Sequence, residues 1–93
     1  MMIHIVMKGY SLMDENGGPC GTVRANPTSV HLSLKKAINE VTSFDFAKET
    51  KAHACNGFRE GINTSDARTA VLTDNGRDDC FVKIWICSRN LEV

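Results

Sequence analysis

The chain has 93 residues, with eleven Lys/Arg against eleven Asp/Glu, 42% apolar residues and 24% charged ones. That length allows one domain with a modest core, and the composition excludes a disordered chain. The charge balances within each half as well, five of each sign over residues 1–50 and six over 51–93, so no basic or acidic tail and no generally DNA-attracting surface is expected, because sequence-independent affinity for nucleic acid needs clustered Lys/Arg.

Residues 2–13 open with β-branched residues in alternation. As a strand they place Ile3, Ile5 and Met7 on one face and His4, Val6, Lys8 and Tyr10 on the other. The apolar start is short, and Lys8 follows it instead of preceding it, so a secretory leader is not expected. No run approaches the ~18 apolar residues of a membrane helix, and a soluble cytoplasmic protein is the expectation. Asp14-Glu15-Asn16-Gly17-Gly18-Pro19 is a turn: Asn-Gly accepts positive φ and Pro19 cannot donate to a ladder. A short return strand over 20–25 completes a hairpin.

Asn26-Pro27-Thr28-Ser29 has the chemistry of a helix start. Val30, Leu34, Ala37, Ile38 and Val41 then recur at helical spacing, with Lys35, Lys36, Asn39 and Glu40 outward, which predicts a helix over 28–42. In a competing reading, Val30, Leu32 and Leu34 alternate in a strand and Ser33 caps a shorter helix. Residues 43–57 admit either a second helix, with Ser43 as cap and Asp45 near its positive end, or a strand through 51–55 turned by Asn56-Gly57. Residues 60–66 read as loop.

Asp74-Asn75-Gly76-Arg77-Asp78-Asp79 separates a strand at 69–73 from one at 80–87. The second has Cys80, Val82, Ile84 and Ile86 on one face and Phe81, Lys83, Trp85 and Cys87 on the other. Both faces are largely apolar, so this strand is expected to be central and partly covered on both sides. The sum is an α+β domain over 1–93, with a three- or four-stranded, mainly antiparallel sheet and one main helix packed across it.

Cys20, Cys55, Cys80 and Cys87 are well separated, with no C-x-x-C pair. They read as small buried residues and one or two surface thiols, without disulfides. A zinc site from His31, His53, Cys55 and Cys87 has no local spacing behind it, and no cofactor is expected. Nothing around Cys55, His53 or His31 resembles a nucleophile turn, no glycine-rich phosphate loop is present, and residues 74–79 lack the alternation of a calcium loop. His4 reads as a cross-strand neighbour.

Topology adds a functional expectation. If 80–87 is central, with the first strand and 69–73 antiparallel on either side of it, those two run parallel and the loops after them emerge at one end. Asp14, Glu15, Asp74, Asp78 and Asp79 then gather there against Arg77 alone, an acidic end suited to a basic partner. Polar turns also need Asp, Asn and Gly for their own geometry. Tyr10, Phe81, Lys83 and Trp85 are expected on one sheet face, where they could stack single-stranded bases or anchor a protein contact.

The expectation from these features is a non-enzymatic binding protein. Its partner site is Asp14, Glu15, Asp74, Asp78 and Asp79 with Tyr10 and Trp85, and its partner a basic protein that handles nucleic acid. By size and lack of catalytic signature alone, phage- or mobile-element-encoded inhibitors of host defence, of the anti-CRISPR or anti-restriction kind, are the analogous class. Single-stranded nucleic-acid binding and a zinc-stabilised module are the alternatives, and homodimerisation is compatible with each.

Overall fold

The alternation at the start of the chain forms an eleven-residue strand, β1 (Met2–Leu12), which runs antiparallel to the fourteen-residue β5 (Arg77–Asn90), with Met2 opposite Asn90 and Leu12 opposite Cys80. The structure, a computed structural model, describes residues 1–92. On the other side of β5 lies β4 (Ala67–Asp74), joined to it through Asn75 and Gly76, whose φ values of 51° and 80° are left-handed. Asn and Gly accept that conformation, and a turn of this hand matches the strand twist. The edge strands are β2 (Arg24–His31) beside β1 and β3 (Gly57–Glu60) beside β4, in the order β2-β1-β5-β4-β3 with each neighbouring pair antiparallel. At ~3.3 Å per residue β5 is ~46 Å long, and the molecule measures 49 × 23 × 22 Å. Its long axis follows this strand.

The α+β class stands, with five strands instead of three or four and two short helices instead of one main one. β3 has only four residues, too few to show a period in the sequence. The expected helix over 28–42 is corrected to α1 (Leu34–Thr42), while 28–31 continue β2. Pro27 is tolerated because β2 is an edge strand, where a missing N–H need break no ladder. Pairing with β1 holds this stretch in the sheet, and Glu40 of α1 ties it to the helix: Ser29 Oγ donates to its two oxygens at 2.7 and 2.8 Å and Thr28 Oγ1 to one of them at 2.8 Å. His31 Nε2 lies 3.3 Å from it. Ser33 caps α1, accepting the Lys36 N–H at 3.3 Å. Residues 43–57 resolve into α2 (Phe46–Ala52) and the start of β3; Asp45 caps α2, accepting the Ala47 N–H at 2.9 Å, and Ser43 ends α1.

Both helices lie on one face of the sheet. Phe46, Ala70, Leu72, Cys80 and Val82 are buried beneath α2, Val6, Ala37, Val41 and Ile84 beneath α1, and Phe44 touches both groups. Burying a side chain the size of Phe46, Leu72 or Ile84 contributes about 1.5–3 kcal/mol. A seven-residue helix is unstable alone. Here α2 is pinned by Phe46, 2% exposed, and by Glu49, which accepts from Lys8 Nζ on β1 at 2.8 Å. No helix among the described residues is long and apolar enough to cross a membrane.

Among the described residues, no second layer covers the other face of the sheet. β5 is central, and the partial covering expected on its two faces is uneven: the face with Cys80, Val82 and Ile84 is buried, while Phe81, Trp85 and Cys87 are half-buried and Lys83 is exposed.

Candidate functional site

The turns after β1 and β4 meet at one end of the molecule. The Met13 N–H donates to the Asp79 carbonyl at 3.1 Å, and an open groove of about 550 Å³ between the turns is lined by Asp14, Glu15, Gly17, Gly76, Arg77 and Asp78. All five predicted carboxylates are at this end, as the parallel course of β1 and β4 requires. A second cation joins Arg77 there. Arg59, on the unread strand β3, reaches Asp78 with Nη2 3.2 Å from Oδ2 and Nη1 3.3 Å from Oδ1. Five carboxylates stand against Arg77 and Arg59, so the end carries a net charge of −3.

The five acids are not equivalent. Asp14 is occupied by its own turn, its Oδ1 accepting the N–H groups of Asn16 at 3.0 Å and Gly18 at 2.7 Å. β4 and β5 slip by one residue between Leu72 and Thr73, where Thr73 pairs with Asp78 instead of Asp79. That bulge separates the two acids: Asp78 goes to Arg59, and Asp79 accepts from the Cys55 thiol at 3.4 Å. Glu15 and Asp74 are exposed and have no side-chain hydrogen bond among the described residues. They are the free charges of this end.

Tyr10 and Trp85 are not on one face. In the register of β1 and β5, Tyr10 lies opposite Val82, whereas Trp85 lies opposite Met7. Tyr10 therefore faces the helical side, where its ring meets His53 edge-on at 5.2 Å. The predicted set of Tyr10, Phe81, Lys83 and Trp85 is corrected to the last three. The alternation that placed Tyr10 beside Val6 and Lys8 was sound; the cross-strand register was not legible. Trp85 lies across the neighbouring strand: a Cβ on Gly9 would stand 3.2 Å from its Cη2 and 3.0 Å from the Arg24 carbonyl oxygen. Lys83 Nζ sits 5.2 Å from the indole centroid.

Around Tyr10, a groove of about 470 Å³ runs between α2 and the β1–β2 pair, with Lys8, Arg24, Glu49 and His53 in its walls. Glu49 is buried there, held by Lys8 at 2.8 Å and His53 Nε2 at 3.5 Å. The imidazole of His53 thus serves Glu49, and the Cys55 thiol meets Asp79 and the His53 carbonyl instead of that ring. Burial, the Asp79 hydrogen bond and the charges of Asp79 and Asp74 push the Cys55 thiol up to about 11. An activated nucleophile needs the opposite shift. His4 meets its cross-strand neighbour, Nδ1 lying 2.7 Å from Ser88 Oγ.

The residues weighed for zinc are scattered. His31 is engaged with Glu40 and His53 with Glu49, while Cys87 points to the opposite face of the sheet. Among the described residues no three His, Cys, Asp or Glu side chains are grouped to hold a metal ion. All four cysteines are free thiols: Cys20 is exposed, Cys55 and Cys87 are half-buried, and Cys80 is buried.

No protein-family model, curated protein or solved structure matches this chain.

Proposed function

We propose that this chain is a non-enzymatic docking protein whose acidic end binds a basic surface of a larger macromolecule, one that ordinarily handles nucleic acid. The observation that carries the reading is the convergence of two turns distant in sequence, which gives a neutral molecule a −3 tip with two unengaged carboxylates, Glu15 and Asp74. Such a tip steers a basic partner into place and fixes its orientation, with an effect that falls steeply with salt. Inhibition of host defence by a phage or mobile-element protein of the anti-CRISPR or anti-restriction kind is the particular form of this reading. Such an inhibitor occupies the basic surface on which its target holds nucleic acid. Tyr10 drops out of the partner site because it lies under α2. Trp85, seven residues from Asp78 along β5 and so ~23 Å away, belongs to a separate surface.

Glu15→Lys combined with Asp74→Asn takes the tip from −3 to neutral without touching the Asp14 turn, the Arg59–Asp78 pair or the thiol contact of Asp79. Asparagine is chosen because a lysine at 74 would face Arg77 across the hairpin. With wild type and variant as baits in a native-like lysate at low salt, wild type retains a stoichiometric basic partner and the variant loses it or associates at least ~10-fold more slowly. Equal retention of the same partner by both baits refutes the acidic end as the docking site.

A further inference from the structure

We propose that a second copy of this chain covers the open face of the sheet, so that two five-stranded sheets pack face to face with the helices outside. Apolar side chains left in water on a sheet face are a driving force for association, and each copy supplies a covering for one side only. On the open side, Ile5 and Met7 of β1 lie opposite Cys87 and Trp85 of β5, with Ile3 beyond them opposite Arg89, and Phe81 opposite Ser11 past Lys83. Val30 on β2, opposite Ile5, extends the patch to the edge and is 59% exposed. A contiguous apolar surface on this scale marks an interaction face.

The shape of the face suits another sheet. Because Gly9 has no side chain, Trp85 spreads over β1, leaving a broad surface compatible with the ~10 Å spacing of stacked sheets. Between Phe81 and Trp85 is an open depression of about 160 Å³, lined also by Gly9, Ser11, Thr22 and Lys83. The extent of the face is also right. Eleven paired residues of β1 give ~36 Å and four strand spacings give ~19 Å, or ~700 Å² before side-chain relief, close to the ~800 Å² each partner contributes to a stable interface.

Charge selects self-association and its symmetry. On this face the Arg59–Asp78 pair is already neutralised, and Lys83 lies over its own Trp85. A two-fold axis along the strands would bring two −3 tips together. An axis across the strands sets each tip over the far end of the partner's sheet, where Arg89 stands opposite Ile3 on the same face. Closed isologous pairing of this kind leaves no apolar face over for further growth. The inference does not depend on what the acidic tips bind, since in this arrangement they remain at the two ends of the dimer.

Light scattering after size exclusion, from 1 to 100 µM protein, tests it together with the emission of the single tryptophan. Wild type is expected at about 20 kDa, twice the chain's 10.2 kDa, with Trp85 emission shifting to the red as the dimer dissociates on dilution. Ile5→Lys is expected to be folded by circular dichroism and to run as a monomer. Val30→Lys, at an exposed position that cannot compromise the core, is expected to weaken dimerisation at least 10-fold. A wild-type monomer at 100 µM in 150 mM salt overturns the proposal, as does a dimer unaffected by Val30→Lys. Quenching of Trp85 in a monomeric protein by an oligothymidylate overturns it too, and assigns the face to single-stranded nucleic acid. These outcomes are read without the docking partner, so they stand or fall apart from the acidic-tip variants.

Discussion

Arg68 is the strongest single tie between the sheet and the helical layer, and its replacement measures how that layer is held. It projects from β4, with Nη1 donating to the carbonyl oxygens of Val41 at 3.2 Å, Thr42 at 3.0 Å and Phe44 at 2.9 Å. Nη2 pairs with Glu60, and the guanidinium carbon is 5.1 Å from the centre of the Phe46 ring. The three carbonyls belong to the end of α1 and the junction to α2, where a helix leaves acceptors unpaired and its dipole favours a cation. A hydrogen bond with one charged partner contributes about 1.5–3 kcal/mol, but carbonyls near the surface regain water when the donor is removed. The Glu60 pair adds at most ~1 kcal/mol because Glu60 is 40% exposed. Arg68→Ala is therefore expected to cost about 3–4 kcal/mol of the ~5–14 kcal/mol that a chain of this length has in total. Arg68→Lys keeps the charge and three N–H donors for the carbonyls, but it gives up the separate Nη2 contact to Glu60 and the planar guanidinium beside Phe46, and should cost about 1 kcal/mol. Urea unfolding followed by circular dichroism reads both values. A lysine variant as stable as wild type, or an alanine variant within ~1 kcal/mol of it, refutes the reasoning.

Two further predictions concern titrating groups. Removing the acceptor and its charge by Asp79→Ala lowers the Cys55 thiol from about 11, and alkylation of Cys55 at pH 8 should accelerate at least ~10-fold while exposed Cys20 is unchanged; an unaltered Cys55 rate counts against the thiol–carboxylate contact. At Glu40, burial raises the carboxyl but the hydrogen bonds from Ser29, Thr28 and His31 together hold it below its ordinary value. A depressed folded value means that the ionised group stabilises the fold above the unfolded value of ~4.3 and loses that contribution as pH falls through the folded one. Glu40→Gln should thus be less stable than wild type at pH 7, with a gap that closes below about pH 4; a gap independent of pH places the stabilisation elsewhere.

The parts of this fold that could be read in the sequence are those where one local period decides. β1, the Asn75-Gly76 hairpin and the central place of β5 follow from alternation of period two and from residues that accept positive φ. The stretch 28–33 carried two messages, and the contact that settled it is tertiary: Ser29 and Thr28, which resemble capping residues, donate to Glu40 eleven and twelve residues away. The Asp45 cap was half visible, since an acid at that point serves either as cap or as first-turn residue. β3 depends on pairing with β4, and nothing within Gly57–Glu60 announces it.

The acidic end shows a different kind of legibility. Its five carboxylates were placed by topology, which needed only the strand order and the sense of pairing, and for that the sequence sufficed. Their division of labour needed the bulge at Leu72–Thr73, which turns Asp78 toward Arg59 and leaves Asp79 with Cys55. A shift of one residue reverses the face on which a side chain stands, so adjacent acids that look interchangeable in the sequence have different partners in the structure. The same parity sends Tyr10 beneath α2 and Trp85 to the open face. Charge that is even along the chain therefore becomes polarised in space, with a negative tip at one end and an apolar plane along one side. Antiparallel pairing of strands with unequal faces produces both features at once, which is why neither appears in the net charge or the composition.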